Sequence, residues 1–162
     1  MTAASGRVIP APPPASSDAV RAVMVGNRKR DTRPKRALRS ALHARGLRFR
    51  TDLKIGSGRS APRPDIALTR ARVAVFMDGC FWHGCPEHGV QPTVNSRHWS
   101  AKLARNRERD TANTAALEAE GWRVIRVWEH DDSESATTLI EKAVRSRATA
   151  RLRQAVAQSV PA

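Results

Sequence analysis

The alternation of apolar and polar positions predicts a helix in the first third of the chain. Alanine and leucine recur there at helical spacing, in the stripe Ala37, Leu38, Ala41 and Leu42. Asp31 or Thr32 can cap the amino-terminal end of this helix, and Gly46 is a typical helix stop. The helix is therefore predicted to end at His43 or Ala44.

Shorter runs of apolar residues predict four strands. Residues 47–53 alternate between apolar and polar side chains, which is typical of a strand with one buried face. Residues 65–68 and 72–77 are separated by a short turn at 69–71 and are predicted to form a hairpin. The second of these runs is apolar almost throughout, which indicates a strand buried on both faces. Residues 122–128 form a further predicted strand.

The remaining segments predict two helices and two loops. Residues 99–120 and 137–158 have helical patterns, while residues 56–64 are rich in turn residues. Residues 79–98 are irregular and contain glycine, proline, cysteine and histidine. A long irregular segment inside a compact domain needs an explanation, and a bound metal can supply one. The order helix, hairpin, helix, strand, helix predicts an α/β fold with helices packed on a sheet.

The length of the chain suits one domain with flexible ends. It has 162 residues, which is enough for one domain of ordinary size. Residues 1–22 are rich in proline and alanine and are expected to form a disordered tail. We expect the folded domain at residues 23–150 and a frayed carboxyl-terminal tail at residues 151–162.

The charge of the chain points to a polyanionic partner. Lys and Arg total 29 against 15 Asp and Glu, for a net charge of +14. This balance favours nucleic acid as the partner. The alternative is a basic, solvated surface typical of a protein from a GC-rich genome. The sequence has no apolar run long enough for a transmembrane helix and no secretory signal, so we expect a cytoplasmic protein.

Cysteine and histidine are spaced as in a zinc site. Cys80, Cys85 and His88 follow the pattern C-x4-C-x2-H, and zinc prefers thiolate and imidazole ligands. His130, just beyond the last predicted strand, is the best candidate for a fourth ligand, although His83 also lies nearby. A disulfide between the two cysteines and a pair of unliganded thiols remain alternatives. A reducing cytoplasm argues against the disulfide.

Two carboxylates flank the predicted hairpin. Asp65 begins the first strand of the hairpin, and Asp78 follows the end of the second strand. We expect these carboxylates to approach each other and to suit Mg²⁺, which prefers hard oxygen ligands. Without further support, Asp65 after a proline is more often a cap or a turn residue.

Five segments together resemble the very-short-patch mismatch repair endonucleases. They lie within residues 24–132 in the order of that family, and they are Asn-Arg-Lys-Arg-Asp-Thr at 27–32, Arg-Pro-Asp at 63–65, Asp-Gly-Cys-Phe-Trp-His-Gly-Cys-Pro-Glu-His-Gly at 78–89, Asn-Arg-Glu-Arg-Asp at 106–110 and Gly-Trp-Arg-Val-Ile-Arg-Val-Trp-Glu-His at 121–130. Agreement of all five segments in one order makes the resemblance specific.

The resemblance implies a restriction-endonuclease-like fold related to the PD-(D/E)xK nucleases, with a mixed sheet flanked by helices and a structural zinc site. It implies that Asp65 and the backbone carbonyl of Met77 bind catalytic Mg²⁺. His83 would be the general base that activates water, and Asp110 would orient it. Asp78 would lie in the water shell of the metals. The zinc ligands of the family match Cys80, Cys85, His88 and His130.

The resemblance also assigns aromatic residues to DNA. Phe81, Trp82 and Trp99 match aromatic side chains that wedge into the duplex beside a mismatch. Core packing is the simpler interpretation of the two tryptophans without the resemblance. Trp122 and Trp128 are evenly spaced on a strand, so they face one side of the sheet and are expected to be core residues.

Lys35 departs from the pattern of the family. Members usually carry Glu at this position in the first helix, near the metal waters. A lysine there is expected to contact a phosphate or to weaken the enzyme. Arg28 and Arg30, in the basic run before the helix, are further expected DNA contacts.

The leading function hypothesis is a strand-specific endonuclease acting at T·G mismatches. A DNA nickase with relaxed mismatch preference and a catalytically inactive, zinc-stapled DNA-binding protein are the alternatives. We expect a monomer that acts on double-stranded DNA and associates with the bacterial nucleoid. Mismatch-repair proteins and a cytosine-5 methyltransferase are candidate protein partners, but the sequence identifies neither of them, nor the flanking bases recognised.

Overall fold

The computed structural model of the chain describes residues 31–89 and 95–158, together with Asp18 and Thr93. The predicted tail at 1–22 lies outside these residues, apart from Asp18. The expected DNA contacts Arg28 and Arg30 also lie outside them. None of the helices in the described residues is both long enough and apolar enough to span a membrane.

The first helix has the predicted bounds. Helix α1 spans Arg33–Ala44, with Thr32 in extended conformation at its amino-terminal cap. Leu38 and Leu42 are buried on its inner face. The helix ends because Gly46 adopts φ +74°, a left-handed conformation that glycine enters without steric cost. The apolar stripe thus becomes the surface that packs on the sheet.

Within the described residues the sheet has three strands, β1 (Ile66–Leu68), β2 (Val73–Asp78) and β3 (Arg123–Trp128), in that order. Strands β1 and β2 are antiparallel, and β2 and β3 are parallel. The predicted hairpin and the predicted α/β fold with a mixed sheet are therefore confirmed. The parallel pairing brings the carboxyl ends of β2 and β3 to the same edge.

The predicted strand at residues 47–53 is wrong. This segment contributes one isolated bridge, in which Arg50 exchanges two backbone hydrogen bonds of 2.9 and 2.8 Å with Ala67. Two residues later Asp52 adopts φ +52°, which is incompatible with an extended strand. The chain then turns back, and Leu53 and Ile55 pack against the sheet instead of extending it.

Residues 79–98 were predicted to be irregular, but parts of this segment are helical. It begins with the short helix α2 (Cys80–His83), and helix α3 spans Ser96–Ala119, starting before the predicted residue 99. Helix α4 spans Ser133–Gln158 and starts before the predicted residue 137, because Asp132 accepts a hydrogen bond of 2.9 Å from the Ser135 backbone.

The two faces of the sheet are covered by different helices. One face packs against α1 and α4 through a core that includes Leu42, Val73 and Ile140. The other face packs against α3, where Leu117 contacts the cluster around Ala74. Successive side chains of a strand point to opposite faces. The last two residues of β2 therefore direct their side chains to different helical layers.

Candidate active site and metal centre

Two cysteines and two histidines meet at the carboxyl ends of β2 and β3. One ligand atom from each of Cys80, Cys85, His88 and His130 lies within 4.8 Å of all the others. Cys80 Sγ is 3.0 Å from His130 Nδ1, and Cys85 Sγ is 4.0 Å from His88 Nδ1. A tetrahedral zinc site with bonds of about 2.0–2.3 Å has edges of roughly 3.3–3.8 Å. The cluster fits such a site with small adjustments.

Backbone contacts hold this cluster together. The Cys85 N–H donates to the Cys80 carbonyl at 3.0 Å, across a turn in which Gly84 adopts φ +67°. Glu129, next to His130, accepts a hydrogen bond of 2.8 Å from the Cys80 N–H. The Glu129 N–H in turn donates to the carbonyl of Asp78 at 2.9 Å. These contacts bind the loop that follows β2 to the end of β3.

The two thiols are suited to a cation rather than to each other. Cys80 and Cys85 are buried, free thiols, which does not support the disulfide alternative. Burial raises the pKa of the Cys80 thiol to about 11, with Cys85 adding to the effect. A thiolate at this depth needs a neighbouring positive charge, and a bound metal ion is a natural source of that charge.

His83 pairs with a carboxylate instead of joining the metal cluster. Its Nδ1 atom is 2.6 Å from Asp110 Oδ2 and 3.7 Å from Asp78 Oδ1. Because a carboxylate accepts hydrogen bonds, Nδ1 carries the hydrogen and Nε2 is left as the acceptor nitrogen. These three side chains line a cleft of about 520 Å³ between α3 and the end of the sheet.

Arg126, in β3, holds the carboxylates of this cleft. It donates two hydrogen bonds to Asp78, of 2.6 and 2.7 Å, and lies 3.4 Å from Asp110. Burial by itself lowers the pKa of Arg126, but the hydrogen bonds and charges of Asp78 and Asp110 outweigh it and raise the pKa. The arginine thus remains cationic and offsets two negative charges beside the histidine.

Asp65 lines a different cleft from His83, together with Lys35 and Met77. Its Oδ2 accepts a hydrogen bond of 2.8 Å from the Met77 N–H, and its Oδ1 is 2.5 Å from the Lys35 ammonium. Asp78 is paired with Arg126 and lines the cleft of His83. Asp65 and Asp78 thus line different clefts and have different partners, Lys35 and the Met77 N–H for Asp65 and Arg126 for Asp78.

Three aromatic rings cluster beside His83. The ring centroids of Phe81 and Trp82 are 5.0 Å apart, those of Phe81 and Trp99 5.3 Å, and those of the two tryptophans 6.0 Å. Trp82 remains 37% exposed. The Lys102 ammonium lies over both indoles, at 5.0 and 5.2 Å from their centroids. The cluster therefore presents an apolar, solvent-facing surface next to a cation.

Comparison with known proteins relates this arrangement to DNA endonucleases. Residues 16–88 match the family described as DNA mismatch endonuclease Vsr. The type II nicking enzyme V.NaeI of Lentzea aerocolonigenes is 50% identical over 119 residues, which are 72% of this chain and 71% of that protein. The type II nicking enzyme V.NmeDIP of Neisseria meningitidis serogroup C is 38% identical over 121 residues, 74% of this chain and 79% of that protein. The DNA mismatch endonuclease Vsr of Escherichia coli is 38% identical over 102 residues, 62% of each chain.

The chain belongs to the Vsr family of DNA endonucleases. The predicted family and the predicted enzyme class are thus confirmed. Endonucleases of the Vsr family hydrolyse phosphodiester bonds of DNA and nick it.

The structure of this Vsr-family endonuclease brings together most of the residues singled out in the sequence. Cys80, Cys85, His88 and His130 form one cluster, and Phe81, Trp82 and Trp99 form another. Trp122 packs against the core, as expected. Trp128 is not in the core: it lies past the apolar part of the strand, lines the cleft of His83 and stacks on His130 with centroids 6.3 Å apart.

Three polar residues of this Vsr-family site were missed from the sequence. Arg126 lies in the middle of an apolar strand, and such an arginine requires a carboxylate partner, which was the available signal. Lys102 follows Trp99 by three residues on a helix, which places the two side chains side by side. Glu129, between Trp128 and His130, carried no signal of its own in the sequence.

Proposed function

We propose that this endonuclease nicks one strand of duplex DNA at a T·G mismatch, on the 5′ side of the mispaired T, in a reaction that requires Mg²⁺. The products carry a 5′-phosphate and a 3′-hydroxyl, and the reaction serves very-short-patch DNA repair. The observation that carries the proposal is helix α2. One helical turn presents the exposed ring of Trp82 directly beside His83, which is paired with Asp110.

The aromatic cluster is the proposed mismatch sensor. A wedge of apolar rings unstacks neighbouring base steps, and this distortion costs least where a base pair is already mismatched. Trp82 is exposed enough to reach the duplex, while Phe81 and Trp99 support it from behind. The Asn106 amide donates a hydrogen bond of 3.2 Å to the Trp82 carbonyl, which fixes the helical turn that carries the wedge.

His83 is the proposed general base. With Nδ1–H held by Asp110, the lone pair of Nε2 can remove a proton from the attacking water. Arg126 keeps Asp78 bound, so Asp110 remains the closer carboxylate of the histidine. The imidazole therefore has one orientation and one tautomer before DNA arrives, as proton transfer from a positioned water requires.

Asp65 and the backbone carbonyl of Met77 would hold the Mg²⁺. The Asp78 carbonyl accepts a hydrogen bond from the Glu129 N–H, so it points towards β3. Successive carbonyls of a strand point to opposite sides, so the Met77 carbonyl points away from β3, to the side on which the Met77 N–H contacts Asp65. Hard oxygen donors of this kind suit Mg²⁺. The bound cation supplies stabilisation of the charge that develops on the phosphate. This assignment relates the fold to the PD-(D/E)xK nucleases, with Asp65 as their first aspartate.

The Cys80–Cys85–His88–His130 cluster would hold a structural Zn²⁺. Two thiolates and two imidazoles form a closed donor set, which is typical of structural rather than catalytic zinc. His83 lies on the same turn as Cys80. A metal there would fix the position of the general base and of the wedge through the fold, without taking part in the hydrolysis.

A nickase with relaxed mismatch preference is the second candidate. The names of several relatives, type II nicking enzymes, favour it. The name of the Escherichia coli relative, DNA mismatch endonuclease, favours the first. Comparing the nicking of two duplexes that differ in one base pair distinguishes a mismatch-specific endonuclease from a relaxed nickase.

The test uses a T·G duplex and a matched T·A duplex, each labelled in turn on either strand, with and without Mg²⁺. The proposal predicts one cut, on the 5′ side of the mispaired T, in the T·G duplex with Mg²⁺. Equal nicking of both duplexes would favour the second candidate. No nicking of either duplex under any of these conditions would overturn both.

A further inference from the structure

The Lys35–Asp65 pair satisfies both oxygens of the carboxylate from within the protein. Lys35 Nζ is 2.5 Å from Asp65 Oδ1, and the Met77 N–H donates to Oδ2 at 2.8 Å. The two side chains are 22% and 27% exposed, so the pair is partly shielded from solvent. The carboxylate proposed to bind a divalent cation therefore already has a cation of the protein beside it.

The fold determines this contact. Leu38 and Leu42 anchor α1 on the sheet, and this directs the first turn of the helix towards the start of β1. The carbonyl of Lys35 accepts a hydrogen bond of 3.1 Å from Arg39. Lys35, Asp65 and Met77 line one cleft of about 260 Å³, which leaves room beside the pair for a small ion.

A divalent cation and the ammonium compete for the same oxygen. An ammonium is a compact point charge, and its hydrogen bond to Oδ1 uses the lone pairs that an incoming metal ion needs. The net binding free energy of the metal is therefore its own interaction with Asp65 minus the interaction with Lys35 that it displaces. Lysine also has a flexible four-carbon stem, so the released ammonium can reach a nearby phosphate oxygen.

We propose that Lys35 is a displaceable counter-ion of Asp65, which leaves the carboxylate when a divalent cation binds and then contacts the DNA backbone. Metal binding and DNA binding support each other through this one side chain. The proposal rests on the assignment of Asp65 as a metal ligand under the proposed function. Lys35 would thus set the metal concentration at which the enzyme assembles on its substrate.

Mn²⁺ titrated into the full-length protein without DNA tests the competition, with free Mn²⁺ followed by electron paramagnetic resonance. The variants are Lys35→Met, Lys35→Gln and Lys35→Glu. Arg36→Met is the matched control for Lys35→Met and Lys35→Gln, because Arg36 is the exposed neighbour on α1 and its loss changes the net charge by the same one unit. Asp65→Asn identifies the site, and thermal melting confirms that each variant is folded.

The proposal predicts that Lys35→Met and Lys35→Gln bind Mn²⁺ roughly tenfold more tightly than the unmodified protein, which corresponds to about 1.4 kcal/mol. Lys35→Glu adds an oxygen ligand and tightens binding further. Arg36→Met leaves the affinity within about twofold. Equal or weaker Mn²⁺ binding in folded Lys35→Met and Lys35→Gln would overturn the proposal. Unchanged binding in Asp65→Asn would instead overturn the metal assignment under the proposed function.

DNA affinity tests the second half of the proposal. Fluorescence anisotropy with a T·G duplex is measured with and without Mn²⁺, in a His83→Ala background to prevent cleavage. A divalent cation held by Asp65 would raise DNA affinity through its own charge, whether or not Lys35 is present. Release of Lys35 adds to this effect, so Mn²⁺ should raise DNA affinity several-fold more with Lys35 than with Lys35→Met. Equal enhancement in both would show that the released ammonium does not reach DNA.

Discussion

His83 Nδ1 lies 2.6 Å from Asp110 Oδ2, across the contact between the short helix α2 and the long helix α3. The two residues are 27 positions apart in the chain. Their pairing favours one imidazole tautomer, and in the proposed mechanism the acceptor nitrogen of that tautomer activates the attacking water. The proposed hydrolysis depends on this pair and on Asp65.

Asp110→Asn should slow nicking by about 100-fold or more, which is the usual contribution of a positioned general base. An amide can donate as well as accept, so it no longer fixes which imidazole nitrogen carries the hydrogen. DNA affinity should stay within about twofold. Single-turnover nicking and anisotropy measure the two effects. Glu118→Gln, in the same cleft, is the control, and a matching loss in that variant would show a general charge effect instead.

Arg126→Met should destabilise the fold by about 2 kcal/mol, because Asp78 is 5% exposed and would lose both hydrogen bonds to the guanidinium. Adding Asp78→Asn removes the buried, unpaired carboxylate and should restore part of the lost free energy of unfolding. Urea unfolding of the single and double variants measures this. Equal stability of Arg126→Met and the unmodified protein would mean that solvent replaces the arginine without cost.

The chemistry of the site was more predictable from the sequence than its geometry. The spacing of Cys80, Cys85 and His88 predicted one cluster, because short loops leave few ways to arrange three ligands. That Asp65 and Asp78 line different clefts was not predictable without the tertiary structure. Asp65 lies just before β1, so the alternation of side chains along that strand does not determine which cleft its carboxylate enters.

Backbone conformation explains the largest error in the fold. Residues 47–53 have the alternation of a strand, but Asp52 enters a left-handed conformation that no apolar pattern encodes. The burial of Trp128 was misjudged for a related reason: even spacing fixes the face of a strand but not where the covering helix ends. The burial of residues near the end of a strand can therefore be decided only from the tertiary structure.

Removal of one histidine should distinguish the metal cluster from the active site. His130→Ala should lose the bound zinc and lower the melting temperature, since structural zinc contributes folding free energy. His83→Ala should keep one zinc per chain, because His83 pairs with Asp110 outside the cluster. Elemental analysis and thermal melting measure both. Full zinc content in folded His130→Ala would remove His130 from the ligand set.

Trp82→Ala and Trp99→Ala should each reduce the preference for mismatched over matched duplex. Stacking of a base on an aromatic side chain contributes about 1–3 kcal/mol, so the loss should be measurable for the exposed Trp82 in particular. Competition binding with T·G and T·A duplexes measures the preference. Leu139→Ala, an exposed apolar residue of α4, is the control. An unchanged preference would make the tryptophan concerned a packing residue.

The most direct test of the account is single-turnover nicking of a T·G duplex in Mg²⁺ by Asp65→Asn. Asp52→Asn, which alters another carboxylate lining the same cleft, is the matched control. Asp65→Asn should nick roughly a thousandfold more slowly, a loss of about 4 kcal/mol of transition-state stabilisation. Its affinity for the duplex, measured without divalent metal, should be equal to or higher than that of the unmodified protein. Asp52→Asn should nick at a rate much closer to that of the unmodified protein. Nicking by Asp65→Asn at the unmodified rate would contradict the account.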